Sequence, residues 1–275
     1  MPLSANGLTE SWSLKSKLMV VTGGTKGIGF ATVQSLLAHG AEGVLICARG
    51  DFNISDIQSQ FPDSRVYGVQ CDISTKEGRS KLVAEAEKAF GDKLHGLINN
   101  VGVNVRKEII EQTEEEYHQI MKTNIDATYF LCKEFKSMLE NAASADGGSA
   151  VVNVASAAGV GSTGTGAAYG MSKAAMIHLT KILACEWAKL NIRVNAIAPW
   201  MTMTPMLEEA VKGDPSQLDK VKEWTPMHRL ATVEDIAGPI TYLCMPSSRY
   251  ITGQVISVDG GLSAQSFDGP CATPS

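Results

Sequence analysis

No apolar run in this chain approaches the roughly 20 residues that a bilayer-spanning helix needs. An excess of positive charge is missing too: 24 Lys and Arg stand against 29 Asp and Glu, for a formal net charge of −5. That composition lacks the electrostatic footprint of a nucleic-acid or anionic-membrane binder, so neither is expected as a partner. Residues 1–17 lack the apolar core of a secretory signal. The cysteines, at positions 47, 71, 132, 185, 244 and 271, lack metal-ligand spacing. No metal is therefore expected, and the thiols read as reduced and mostly buried, in a cytoplasmic setting. Charged residues are scarce at 19%, while 44% are apolar, which excludes a disordered chain. No internal repeat is present, and 275 residues suffice for one large α/β domain.

What is present is an alternation. Leu-Met-Val-Val-Thr at 18–22 is a short β-branched run that suits a buried parallel strand. Gly23-Gly-Thr-Lys-Gly-Ile-Gly29 follows, and then Phe30, Val33, Leu36 and Leu37 form a helical stripe closed by Gly40. Strand, glycine-rich turn and helix in that order gather backbone N–H groups and a helix N-terminus at one place, which suits a pyrophosphate. A second strand over 43–48 ends at Arg49. An acidic residue at that position would bind ribose hydroxyls, whereas an arginine suits a 2′-phosphate. Lys26 adds a second cation on the same side, so the pair favours NADP(H), although Asp51 lies close by.

Further strands are expected at 65–71, 96–102, 150–155, 192–198 and 254–258. Between them lie a charged amphipathic helix over 75–90, a long helix over 114–140 and one over 233–245 capped by Thr232. Residues 141–149 read as an exposed loop, 200–228 as a lid-like insertion with short helices near 205–211 and 216–223, and 264–275 as a loose tail. Seven strand-like segments alternating with helices predict one doubly wound, Rossmann-type parallel sheet covered on both faces, with 1–275 as a single domain.

The stretch 166–175 carries Tyr169 and Lys173 at helical spacing i, i+4, with Met176, Leu179 and Leu183 continuing an apolar face. A cation beside a phenol favours the phenolate, so a lowered Tyr169 pKa and an acid/base role are expected. Asn124, in the middle of the long helix, sits where asparagine is mildly unfavourable and marks either a surface position or a local kink.

Taken together these motifs resemble the short-chain dehydrogenase/reductase family over roughly residues 14–264. The resemblance rests on Thr22-Gly-Gly-Thr-Lys-Gly-Ile-Gly29, Cys71-Asp-Ile73, Asn99-Asn-Val-Gly102, Asn124, Ser156, Tyr169-Gly-Met-Ser-Lys173, and Asn195 followed by Pro199. At finer grain, Cys47-Ala-Arg49, Ala184-Cys-Glu-Trp-Ala-Lys189 and Tyr250-Ile-Thr-Gly-Gln-Val-Ile-Ser-Val-Asp-Gly-Gly261 are similar to the tropinone-reductase-like branch.

The resemblance implies an NADPH/NADP+-dependent reductase of a small ketone, with a 3-oxoacyl thioester reductase as the alternative and a non-catalytic dinucleotide sensor as a third reading. It implies Tyr169 as the proton donor, Ser156 as the group that holds the substrate oxygen, Lys173 on the nicotinamide ribose, and Asn124 in a proton relay. For the cofactor it implies Gly23, Gly27, Ile28 and Gly29 at the pyrophosphate, and Thr25, Lys26 and Arg49 at the 2′-phosphate. Asp72 and Ile73 would frame adenine, Asn100 would meet a ribose, and Pro199, Thr202 and Thr204 would lie toward the nicotinamide. It also implies a homodimer or homotetramer paired through the helices near 114–140 and 167–189. Three residues depart from the family pattern: Val101 stands for the usual alanine, Trp200 for the glycine after Pro199, and Thr202 for an aliphatic residue. Trp200 with Met201, Met203 and Met206 suggests an apolar, adaptable pocket.

Overall fold

The computed structural model describes residues 5–146 and 148–265. In chain order the strands are β1 (Leu18–Thr22), β2 (Gly43–Ala48), β3 (Arg65–Gln70), β4 (Gly96–Asn99), β5 (Ser149–Val154), β6 (Ile192–Pro199) and β7 (Val255–Val258). The helices are α1 (Ala5–Ser11), α2 (Gly27–Ala38), α3 (Ser55–Gln60), α4 (Lys76–Phe90), α5 (Glu114–Met121), α6 (Ala127–Asp146), α7 (Ala157–Val160), α8 (Ala167–Trp187), α9 (Pro205–Val211), α10 (Gln217–Trp224) and α11 (Val233–Cys244).

All seven strands pair in parallel in the order β3-β2-β1-β4-β5-β6-β7. Alternate residues feed opposite faces, as strand geometry requires. Leu18, Val20, Leu97 and Val151 pack with Leu82, Leu131, Phe135 and Leu183 of α4, α6 and α8. Met19, Val21, Ile98 and Val152 pack with Val33, Leu36, Ile236 and Ile240 of α2 and α11. The strand order reverses between β1 and β4, and that switch point opens a crevice at the carboxyl ends of the strands.

Several expectations need correction. The long helix predicted over 114–140 is three pieces: α5, a π-turn over Lys122–Asp126, and α6. The segment 141–146 is not a loop: α6 runs through it, because Ala142 and Ala143 are buried one turn beyond Met138 and Leu139. The helices α1 and α3 were not anticipated. Within 200–228, α9 and α10 stand where the pattern put them. Of the tail expected over 264–275, residues 266–275 lie outside the described residues, and Leu262–Ala264 form a 3-10 turn. Among the described residues no helix is long and apolar enough to cross a membrane.

Candidate active site

The glycine turn is shaped by close approach. A Cβ on Gly29 would lie 2.2 Å from the Gly23 carbonyl oxygen and 2.5 Å from Asn100 Nδ2, so only glycine lets α2 start against the end of β1. Gly23 and Gly27 hold φ of +67° and +56°, the left-handed region that glycine enters without strain. At the start of α2, Lys26 supplies no side-chain cap, which leaves the first-turn N–H groups for an anion. A cradle that a Cβ would fill, at an uncapped helix start, fits a dinucleotide pyrophosphate.

Thr22 and Asn100 brace this turn. Thr22 Oγ1 accepts the N–H of Asn100 at 2.9 Å and of Val101 at 3.2 Å. Asn100 Nδ2 donates to the carbonyls of Thr22 and Gly23 at 3.0 and 3.3 Å. Its amide nitrogen thus braces the loop. Thr204 caps α9 by accepting Leu207 N–H, and its methyl would stand 3.5 Å from a Cβ on Gly27. The inserted helix therefore begins directly over the glycine turn.

Toward β2 and β3, Arg49 and Lys26 are both exposed, and neither forms an ion pair among the described residues; in particular Arg49 is not neutralised by Asp51. Thr25 is half-buried beside them. Ile73 is buried at the end of β3, and Asp72 accepts the Ser74 N–H at 2.9 Å. On the other side, Pro199 closes β6 and is buried. Thr202 is buried and donates its hydroxyl to the Trp200 carbonyl at 2.9 Å.

The end of β5 assembles the remaining groups. Val154, its last residue, accepts a hydrogen bond from Lys173 Nζ at 2.8 Å. Two residues on, Ser156 caps α7 by accepting the Ala158 N–H, and its hydroxyl is near enough to the Tyr169 phenol to pull the phenol pKa down. Lys173 Nζ lies 5.8 Å from the Tyr169 ring centre, so the i, i+4 placement holds. Gly159 seats α7 on α8, since a Cβ there would meet the Lys173 carbonyl carbon at 2.6 Å.

Asn124 is fully buried in the π-turn. Such turns arise where an i→i+5 bond replaces i→i+4, and here Ala127 N–H reaches the Lys122 carbonyl. The Asn124 carbonyl is taken by Thr128 Oγ1 at 2.9 Å. Its side chain accepts the Val103 N–H at 2.8 Å, and donates to the Val103 carbonyl and to Ser172 Oγ, both at 3.0 Å. A Cβ on Gly102 would stand 3.2 Å from Lys173 Nζ and 3.6 Å from Asn124 Oδ1, so this glycine lies between the two.

The electrostatics differ from the expectation of a lowered phenol. Burial pushes the Tyr169 pKa up from 10, and the Ser156 hydroxyl and the Arg106 charge only partly oppose it. Burial also pulls Lys173 down from 10.5 to about 8. The spacing argument weighed the lysine and left out desolvation, which is the largest effect on both groups.

Trp200 Nε1 donates to Thr225 Oγ1 at 3.1 Å, and that hydroxyl donates to the Val221 carbonyl of α10. The indole thus ties the inserted segment to β6 and lines a cavity of about 160 Å³ with Met201, Met227 and Gly260. Met203 and Met206 are exposed and do not line it, whereas Arg229, Asp235 and Asp259 do, so this cavity is not the apolar pocket expected of Trp200 with Met201, Met203 and Met206. Roles for Arg106, Ser172, Thr22 and the Val154 carbonyl were not anticipated; Ser172 and Thr22 carried a signal, lying inside the Tyr169–Lys173 and Thr22–Gly29 motifs.

A doubly wound sheet with a glycine turn at its switch point defines a dinucleotide-binding protein. Comparison carries the assignment to the family. A family model described as enoyl-(acyl carrier protein) reductase matches residues 23–263. A tropinone reductase homolog of Arabidopsis thaliana is 40% identical over 260 residues, spanning 94% of this chain and 96% of that one. One from Datura stramonium is 40% identical over 266 residues, spanning 95% and 97%. Among solved structures, the RhlG/NADP active-site complex of Pseudomonas aeruginosa matches with TM-score 0.84 and 29% identity over 92% of this chain and 98% of that one. Levodione reductase matches with TM-score 0.84 and 25% identity over 91% and 99%. The chain belongs to the short-chain dehydrogenase/reductase family, and it is an oxidoreductase that uses a nicotinamide dinucleotide.

Proposed function

We propose that the chain is an NADP(H)-dependent carbonyl reductase, moving hydride between nicotinamide and a small ketone or secondary alcohol. It acts as one dinucleotide-binding and catalytic unit, with 200–228 as its lid. The observation that carries this reading is the meeting of Ser156, Tyr169 and Lys173 at the end of β5. When bound, the nicotinamide supplies the hydride. Tyr169 gives its proton to the carbonyl oxygen, which Ser156 holds by a hydrogen bond as charge develops there. Burial keeps Tyr169 protonated at neutral pH, which suits an acid. After transfer, the phenolate is the stronger base and Lys173, at about 8, the stronger acid, so refilling the phenol from the amine side runs downhill. Asn124 fixes Val103 and Ser172 around that amine.

For the nucleotide, Gly23, Gly27, Ile28 and Gly29 take the pyrophosphate, and Thr25, Lys26 and Arg49 the 2′-phosphate. Asp72, Ile73 and Asn100 line the adenosine side, and Pro199, Thr202 and Thr204 the nicotinamide side. The uncommitted charges of Lys26 and Arg49 support NADP(H) over NAD(H), as does the NADP in the RhlG complex. Exposed Tyr129 and Phe130 of α6 and Met171 and Ile182 of α8 support pairing of two copies through these helices, as a homodimer or homotetramer. The described cysteines are free, which suits a reducing, cytoplasmic setting.

The test is Tyr169→Phe. Ketone turnover with NADPH should fall by about 10²–10⁴-fold while NADPH still binds by fluorescence titration; retained turnover would remove Tyr169 from its role. The description of the matched family model supports one alternative, a reductase of acyl thioesters. A 3-oxoacyl thioester turned over far better than any small ketone would favour it.

A further inference from the structure

Three of the seven arginines, Arg65, Arg79 and Arg229, are ion-paired, to Glu42, Glu134 and Asp235. Arg193 points its guanidinium at the carbonyls of Ile251 and Met245. Arg106 has no carboxylate among the described residues. Its one protein acceptor is Met201 Sδ at 3.8 Å, a thioether and hence a weak one. The neighbouring cation, Lys107, is taken by Glu116 at 2.6 Å. The guanidinium, with five N–H donors, therefore keeps nearly all its hydrogen-bonding capacity.

Its root is fixed. Asn124 holds both the N–H and the carbonyl of Val103. Asn104 Nδ2 donates to the Thr165 carbonyl at 3.0 Å, and Gln112 Nε2 reaches the Val105 carbonyl at 3.5 Å. From there the side chain crosses from the loop after β4 to Met201 after β6, and the Val105 carbonyl beside it lies 3.2 Å from where a Cβ on Gly166, three residues before Tyr169, would stand. It is near enough for its charge to act on the phenol. The other uncommitted arginine at this sheet edge, Arg49, ends β2, on the adenosine side of the switch point.

We propose that Arg106 recognises a carboxylate on the ketone, so that the preferred substrate is an oxo acid and a cationic amino ketone is disfavoured. The inference rests on the carbonyl-reductase reading above. A planar fork matches one carboxylate in a bidentate fashion. A single guanidinium with no second cation beside it suits a monoanion better than a phosphate. The neighbouring cation is neutralised, so the choice rests on this one residue.

The test compares levulinate, methyl levulinate and dimethylaminobutanone as NADPH-dependent substrates near neutral pH. The wild type should favour levulinate over its ester in kcat/KM by about 10- to 100-fold, the range for a hydrogen bond to a charged group. The amino ketone should be the poorest. Arg106→Gln should bring the levulinate-to-ester ratio close to one through KM, and Arg106→Lys should restore part of it. Any effect on Tyr169 cancels in that ratio, because both ketones share the same proton transfer. A wild-type ratio of one or below, or a ratio unchanged in Arg106→Gln, overturns the proposal. Calorimetric binding of levulinate to the enzyme with NADP+, which cannot reduce it, separates the two levels. Arg106-dependent binding without turnover of any ketone overturns the carbonyl-reductase reading and keeps the carboxylate site, whereas absent or Arg106-independent binding overturns the site.

Discussion

Replacing Lys173 by methionine should stabilise the protein at neutral pH relative to its behaviour at alkaline pH, although it removes a residue the reaction needs. Burial lowers the amine from 10.5 to about 8. At about 1.4 kcal/mol per pH unit, keeping that buried amine charged costs the folded state roughly 3 kcal/mol. The sign follows from proton counting. Between pH 8 and 10.5 the unfolded chain binds the proton more tightly than the folded one. Wild-type stability therefore rises with pH across that window, and the penalty is full below it. Methionine keeps the aliphatic stem and has no such penalty. It leaves the Val154 carbonyl without its 2.8 Å donor, which costs about 1–3 kcal/mol at every pH. The two effects nearly offset at neutral pH, so the pH dependence is the decisive quantity. Urea unfolding of both proteins without nucleotide, near pH 7 and again near pH 9.5, should show the stability difference moving toward the wild type by about 2 kcal/mol. Titration of the tyrosines and cysteines common to both proteins cancels in that difference. A gap that does not change with pH would refute a buried, depressed Lys173.

Gly29→Ala should cost about 2–3 kcal/mol and abolish NADPH binding, because its Cβ meets backbone at 2.2 Å; an unchanged melting temperature would refute that geometry, and Gly50→Ala, with open space around its Cβ, is the control. Arg49→Ala should weaken NADPH by about 10-fold or more, on the scale of one charged hydrogen bond, and NADH much less, as read by fluorescence titration; equal losses would move the 2′-phosphate elsewhere. The raised Tyr169 pKa keeps the phenol protonated through neutral pH, so kcat/KM for ketone reduction should stay flat there and fall only on the alkaline side. Alcohol oxidation, which needs the deprotonated form, should climb as pH rises toward the phenol pKa, and an oxidation optimum at acidic pH would contradict the assignment.

The sheet was legible because a buried parallel strand leaves a mark that nothing else in this chain mimics. Runs such as Leu18–Thr22 and Gly43–Ala48 are short, β-branched and bounded by glycine. Tertiary packing decided what was not legible. Asn141–Asp146 carries small and polar residues that read as a loop, yet Ala142 and Ala143 fall in phase with Met138 and Leu139 and close against the sheet. The helices α1 and α3 are too short to show a period. Asn124 was visible as an anomaly, and its register shift by one residue was not, since that depends on Val103 and Ser172 arriving from elsewhere in the chain. Arg106 left no local signal, because an exposed arginine in a loop gains meaning only from the phenol that the fold sets near it.

The site residues share a physical cause for where they stand. Regular elements satisfy their own backbone groups, so chemistry gathers where that self-sufficiency ends. Lys173 is held by the last carbonyl of β5, Ser156 and Thr204 are N-caps, Asn124 fills a π-turn, and the glycine turn precedes an uncapped helix start. At the first four a side chain already satisfies backbone and has a second atom, or a second lone pair, to offer; at the glycine turn the free backbone N–H groups themselves are the site. Structure and chemistry are consequently inseparable in simple deletions. Ser156→Ala removes the cap on Ala158 together with the hydroxyl beside Tyr169. Arg106 is the exception, since its guanidinium braces little beyond a thioether. A side chain that bears charge at the mouth of the site and supports almost no structure is free to vary between relatives that keep the same proton transfer, so substrate preference can change there while the fold and the Ser156–Tyr169–Lys173 arrangement stay fixed.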